Sequence, residues 1–208
     1  MENIIISIGR QFGSGGRVIG KALAEKLNID YYDSELLVMA AKENGIAPEF
    51  FEHNDEKNNS LFGFASNILD NIGLGTFTNN MLSGDTLFQM QSETIRKLAN
   101  EKSCIIVGRC SDYILRDNPN CVSFFLHASE EERAKRIANR MNISEEEAIA
   151  KLTEADKKRA TYYNFYSNKT WGDSKTYDLS INVSKLGIDG TLEFLINYLR
   201  MRFPDKIH

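Results

Sequence analysis

The chain begins with an isoleucine-rich run, Ile4 to Ile8, that carries no charge. A run of this kind suits a strand buried on both faces of a parallel sheet. A glycine-rich turn follows from Gly9 to Gly16. Val18, Ile19, Ala22, Leu23 and Leu27 then recur at helical spacing, with Lys21, Glu25 and Lys26 between them. Strand, glycine-rich turn and amphipathic helix together form the opening unit of a nucleotide-binding α/β fold.

The same alternation continues. Tyr31 and Tyr32 end a short second strand, and Asp33 or Ser34 caps a helix holding Leu36, Leu37, Met39 and Ala40. The stretch from about Asn54 to Asp85 is rich in Asn and Gly yet carries Leu61, Phe62, Phe64, Ile68 and Phe77. That is too apolar for a solvated linker, and it reads as an insert of short helices covering a site. A helix is expected from about Thr86 to Asn100, then strands at Cys104–Val107 and Val122–Leu126. Ser129 with Glu132 and Ser144 with Glu147 each have the spacing of a capping box, so two helices start there, the second running towards Tyr166. Leu179, Ile181 and Val183 alternate as a last strand, and Leu192, Leu195, Ile196 and Leu199 form the apolar stripe of a final helix. The expected fold is α/β: a parallel sheet of about five strands with helices on both faces. The expected organisation is one domain over residues 1–208, with an acceptor-site insert and helix near 54–100 and a lid near 144–170.

Composition narrows the function classes. The 208 residues are 42% hydrophobic and 26% charged, which excludes a wholly disordered chain. A net charge of −4 argues against a general nucleic-acid binder, though a local basic pocket remains compatible with it. No run approaches the ~20 apolar residues of a membrane span, so a cytoplasmic protein is expected. Cys104, Cys110 and Cys121 fit no zinc spacing and read as reduced, mostly buried thiols. Nothing in the pattern decides the oligomeric state.

Three groups of residues carry candidate chemistry. In the turn GRQFGSGGR, Gly9 to Arg17, glycines let backbone N–H groups approach a phosphate, and the following helix adds its positive end. The alternative is a tight strand–helix turn that needs glycine for geometry alone. Aligned on the usual phosphate-loop pattern, Gly16 stands where a lysine reaches the β- and γ-phosphates, and Arg17 stands where a hydroxyl holds magnesium. Arg17 or Arg10 could supply the missing charge, and Ser14 is the nearest hydroxyl for a metal. Next, Gly108 and Arg109 follow the third strand, where the carboxyl ends of an open α/β sheet bind ligands. An arginine there can grip an acceptor phosphate with paired donors. Finally, Arg133, Lys135 and Arg136, then Asp156, Lys157, Lys158 and Arg159, make a basic cluster suited to a lid over a transferring phosphoryl group. A solvated face with a Glu154–Lys158 pair is the competing reading.

Taken together, GRQFGSGGRVIGKALAEKL, YYDSELL, IIVGRCSDYIL, FFLHASEEERAKRI, DKKRATYY and YDLSINVS resemble the cytidylate kinase-like family of the nucleoside monophosphate kinase superfamily, over nearly the whole chain. The resemblance implies a P-loop kinase fold and the cofactors ATP and Mg2+. It implies Gly13, Ser14, Gly15, Gly16 and Arg17 for ATP, and Asp33, Ser34 and Arg109 for the acceptor. Catalysis would fall to Arg159, with Lys158, and Arg17. The implied reaction is phosphoryl transfer to a nucleoside monophosphate, CMP or dCMP first. Where true cytidylate kinases read Gly-Arg-Asp this chain has Gly108, Arg109 and Cys110, which leaves acceptor identity open. A kinase of another small acceptor, and a nucleotide-binding regulator without turnover, remain alternatives.

Overall fold

The computed structural model describes residues 3–33, 36, 39–40 and 84–207. Ser34, Leu37 and the insert from Asn54 to Ser83 therefore lie outside the described residues. Leu36, Met39 and Ala40 are helical.

β1 (Ile5–Arg10) leads through the glycine-rich turn into α1 (Gly16–Leu27) and β2 (Asp30–Tyr32). α2 (Gly84–Glu101), β3 (Cys104–Val107) and the single turn α3 (Ser111–Ile114) follow. Then come β4 (Cys121–His127), α4 (Glu130–Met141), α5 (Glu145–Ser167), β5 (Leu179–Asn182) and α6 (Val183–Arg202). The five strands form one parallel sheet in the order β2-β3-β1-β4-β5. The central strand pairs Ile6 with Ile105 on one side and with Val122 on the other.

Alternation along the strands builds a core on each face. Ile6, Ile8, Val107, Phe124 and Ile181 pack on Ile19 and Leu23 of α1 and on Leu192, Leu195 and Leu199 of α6. Ile5, Ile106 and Phe125 pack on Ile95 and Leu98 of α2, Ile114 of α3 and Tyr163 of α5. A third cluster joins Ala134 and Ile137 of α4 to Ala148 and Leu152 of α5, with Phe12 of the turn against it. Among the described residues, no helix is long and apolar enough to cross a membrane. Cys104, Cys110 and Cys121 are free thiols, and burial pushes the Cys104 and Cys121 pKa values up to about 12.

Several details depart from the sequence pattern. Val18, placed on the apolar stripe of α1, is 58% exposed, because the stripe centres on Ile19 and Leu23 and Val18 lies one position round the helix. β5 stops at Asn182, whose side chain accepts a hydrogen bond from Ser184 N, so Val183 opens α6 instead of ending the strand. Ser144 and Glu147 form the reciprocal capping box. Ser129 caps α4 alone, because its own N–H donates to Ser184 Oγ at 2.9 Å and not to Glu132. The short α3 has too few residues for a periodic signal.

Candidate functional site

The turn after β1 is held from outside before it can hold anything itself. Gln11 N donates to the Leu126 carbonyl at 3.0 Å, and the Gln11 side-chain oxygen accepts from Ala128 N at 3.2 Å. These bonds tie the turn to the end of β4. Gly13 and Gly15 have φ of 77° and 91°, in the left-handed region that favours glycine. α1 then starts at Gly16 with no side chain capping it. Its first N–H groups have no intrahelical acceptor and carry the positive end of the helix dipole.

Arginines gather at this helix start. The Arg10 Nη2 lies 3.0 Å from Asp33 Oδ1, and Arg17 Nε donates to the other oxygen of the same carboxylate. Asp33 directly follows β2, so two strand ends and one helix start meet at one acid. Arg159 reaches the same place from α5, donating to the Arg10 carbonyl at 3.0 Å. Arg109 follows β3 in a left-handed stretch: Gly108, Arg109 and Cys110 have φ of 78°, 60° and 55°. The two non-glycine residues hold a disfavoured backbone. Gln91 of α2 donates to the Arg109 carbonyl at 3.2 Å and helps to hold it.

The electrostatics follow from this crowding. Burial lowers the Arg10 pKa, and Arg109 and Arg17 press it further down against the opposing pull of Asp33. Burial likewise lowers the Arg159 pKa, helped by Arg10 and Arg17 and opposed by Asp156 and Asp33. An anion bound among these four arginines would relieve both.

α5 is fixed over the turn by one acid. Asp156 accepts from Phe12 N at 2.7 Å and from Arg133 of α4 at 2.6 Å, and lies 3.8 Å from Arg159. The Phe12 ring carries the Arg159 and Arg140 guanidinium groups at 5.4 and 5.2 Å from its centre. Arg136 donates to the Gly13 carbonyl. In the sequence alone Asp156 stands in a basic string without a role, and Phe12 is not among the candidate residues. The available signal was one bulky aromatic ring inside a glycine-rich turn.

The structure thus brings Gly13, Gly15, Gly16, Arg17, Asp33, Arg109 and Arg159 together at the carboxyl ends of the strands. Lys158 is not among them: it pairs with Glu154 one helical turn back and is 46% exposed. Lys135 pairs with Glu131 in the same way. Ser14 is fully buried, and its hydroxyl donates to the Gln11 carbonyl at 3.0 Å. Among the described residues no group of three His, Cys, Asp or Glu stands ready for a metal.

A parallel sheet in this order, with a glycine-rich turn after the central strand and a basic helix above it, has the architecture of small P-loop-fold kinases. Solved structures show the same. A shikimate kinase from Bacteroides thetaiotaomicron, 15% identical, shares the fold with a TM-score of 0.54 over 95% of this chain and 98% of that one. An uncharacterized protein from Eubacterium ventriosum, 34% identical, matches with a TM-score of 0.71 over 95% of this chain and 98% of its own. The model of the cytidylate kinase-like family matches residues 5–185, and the chain belongs to that family. Among its relatives, the cytidylate kinase of Methanocaldococcus jannaschii is 25% identical over 92% of this chain and 95% of that enzyme. That of Sulfurisphaera tokodaii is 29% identical, and the match spans 58% of this chain and 66% of the enzyme.

Proposed function

We propose that the protein transfers the γ-phosphate of ATP to a nucleoside monophosphate, with CMP or dCMP the first acceptor to test. The observation that carries this reading is the convergence of Arg10, Arg17, Arg109 and Arg159 at the start of an uncapped helix. Phosphoryl transfer asks for positioning and for positive charge around three equatorial oxygens, and little else from the protein. The backbone of Gly13, Gly15 and Gly16 and the first turn of α1 would hold the ATP phosphates. Arg159 would face the migrating group. Arg109 would grip the acceptor phosphate from the end of β3, beside Asp33. Ser34 belongs to the same acceptor assignment.

Magnesium, when bound with the nucleotide, would supply positive charge against the phosphates. The Ser14 hydroxyl gives its proton to the Gln11 carbonyl and keeps lone pairs for a cation, but it is fully buried, so the donor set here favours a cation held chiefly by phosphates and water.

The test is ADP release measured against a panel of nucleoside monophosphates and other small acceptors, in wild type and Arg109→Ala. Turnover with one acceptor is expected. Loss of the arginine should raise that acceptor's KM roughly ten- to a hundredfold while the ATP KM moves little. ATP binding without turnover on any acceptor would instead make the protein a nucleotide-binding regulator.

A further inference from the structure

We propose that Arg10, and not Arg17, takes the place of the lysine that a phosphate-binding turn ordinarily carries. The inference rests on the reading that this turn holds ATP. It concerns how a turn without its lysine can do so.

The lysine position is Gly16, and its missing side chain is matched by a neighbour. A Cβ at Gly16 would stand 2.8 Å from Arg10 Cβ and 3.1 Å from Arg10 Cγ. The Arg10 stem therefore runs through the volume by which a lysine at position 16 would leave the helix. At its far end the guanidinium lies on a second glycine. A Cβ at Gly108 would stand 1.9 Å from Arg10 Nη1. Any side chain at either glycine would displace this arginine.

The course of Arg10 is thus set by two glycines, one at the start of α1 and one at the end of β3. It crosses from the central strand towards its neighbour, at the point where strand order reverses and open α/β sheets bind their ligands. Arg10 is 15% exposed in its side chain and Arg17 is 52% exposed. Arg17 lies on the outer side of Asp33 and holds that carboxylate against Arg10. Asp33 engages Nη2 of Arg10, which keeps the planar group oriented and leaves the fork able to meet two phosphate oxygens. Arg109 and Arg17 press on Arg10 with like charge, so a polyphosphate arriving there would be a net gain.

A cation in the lysine's role touches the β- and γ-phosphates and not the α-phosphate, so its removal should be felt more by ATP than by AMP. The experiment is calorimetric titration of ATP, ADP and AMP into wild type, Arg10→Ala, Arg10→Met and Arg17→Ala. Arg10→Met keeps an apolar stem over Gly16 and guards against a packing defect in Arg10→Ala, and thermal melts check both. Both Arg10 variants are expected to lose roughly ten- to a hundredfold in ATP affinity, less for ADP and least for AMP. Arg17→Ala should lose less ATP affinity than either. Wild-type ATP affinity in both Arg10 variants overturns the proposal, as does an equal loss for all three nucleotides or a polyphosphate-selective loss in Arg17→Ala alone. In those cases the reading of the turn as an ATP site stands, because wild type still binds ATP, and the kinase reading is left to the turnover assay. A wild type that binds no ATP overturns the kinase reading and this proposal together.

Discussion

Lys158 and Arg159 are adjacent in the chain and have opposite surroundings. The lysine leans back on Glu154 in solvent, an exposed i,i+4 pair that contributes little. The arginine is drawn under α5 to the backbone of Arg10 and the ring of Phe12. Under the proposed reaction, only a cation facing the migrating phosphoryl group should act on the chemical step. Arg159→Ala is expected to lower kcat by at least ~10²-fold with ATP affinity changed much less, and Lys158→Ala to leave kcat near wild type. Steady-state rates on the best acceptor check this. An equal and small effect of both would reduce Arg159 to a structural tie. A sequence string such as DKKRATYY cannot separate the two, since both are cations on one helix and a single residue of register decides which faces inward.

Among the elements, α5 shows how differently local and tertiary bonds weigh. Its N-terminus is closed by the Ser144–Glu147 box, a device legible from spacing alone because both partners lie within four residues. Its attachment to the turn depends on Asp156, which satisfies Phe12 N and the nearly buried Arg133 at once. Removing the cap by Ser144→Ala should cost about 1 kcal/mol. Asp156→Ala should cost about 3–5 kcal/mol, since it leaves Arg133 buried without its counter-charge. Denaturant midpoints for the two variants check the order. A smaller loss for Asp156→Ala than for Ser144→Ala would mean that α5 is held by the Ala148 and Leu152 contacts instead. At the start of α4 a distant residue wins instead: the Ser129 N–H that Glu132 would accept in a box is taken by Ser184 Oγ at 2.9 Å.

At the scale of the whole molecule, the site exists only because the sheet collects distant strand ends. Arg10 and Arg159 are 149 positions apart and share a hydrogen bond, and Phe12 meets Asp156 across 144. The gathered arginines crowd like charge together, and under the proposed function a polyphosphate arriving there would offset it. ATP at a hundredfold its Kd should add about 2.7 kcal/mol to the unfolding free energy, roughly 5–10 °C in Tm for a chain of this length. Thermal melts with ATP and with AMP, each with and without magnesium, check it, and no shift with any nucleotide would count against a phosphate site. The amino-acid pattern by itself determined the succession of elements, the parallel sheet and the family, because periodicity, capping and glycine turns act over a few residues and are written locally. It also marked the strand ends where the candidate site lies, since Gly9 to Arg17 and Gly108 with Arg109 directly follow apolar runs. Only the tertiary structure decided which cations meet. It sent the Arg10 stem over Gly16, turned Arg159 inward and Lys158 outward, and made Asp156 the anchor of α5. Each of those outcomes depends on a side chain filling space left by a residue far away in the chain, and such complementarity has no period for a single sequence to display.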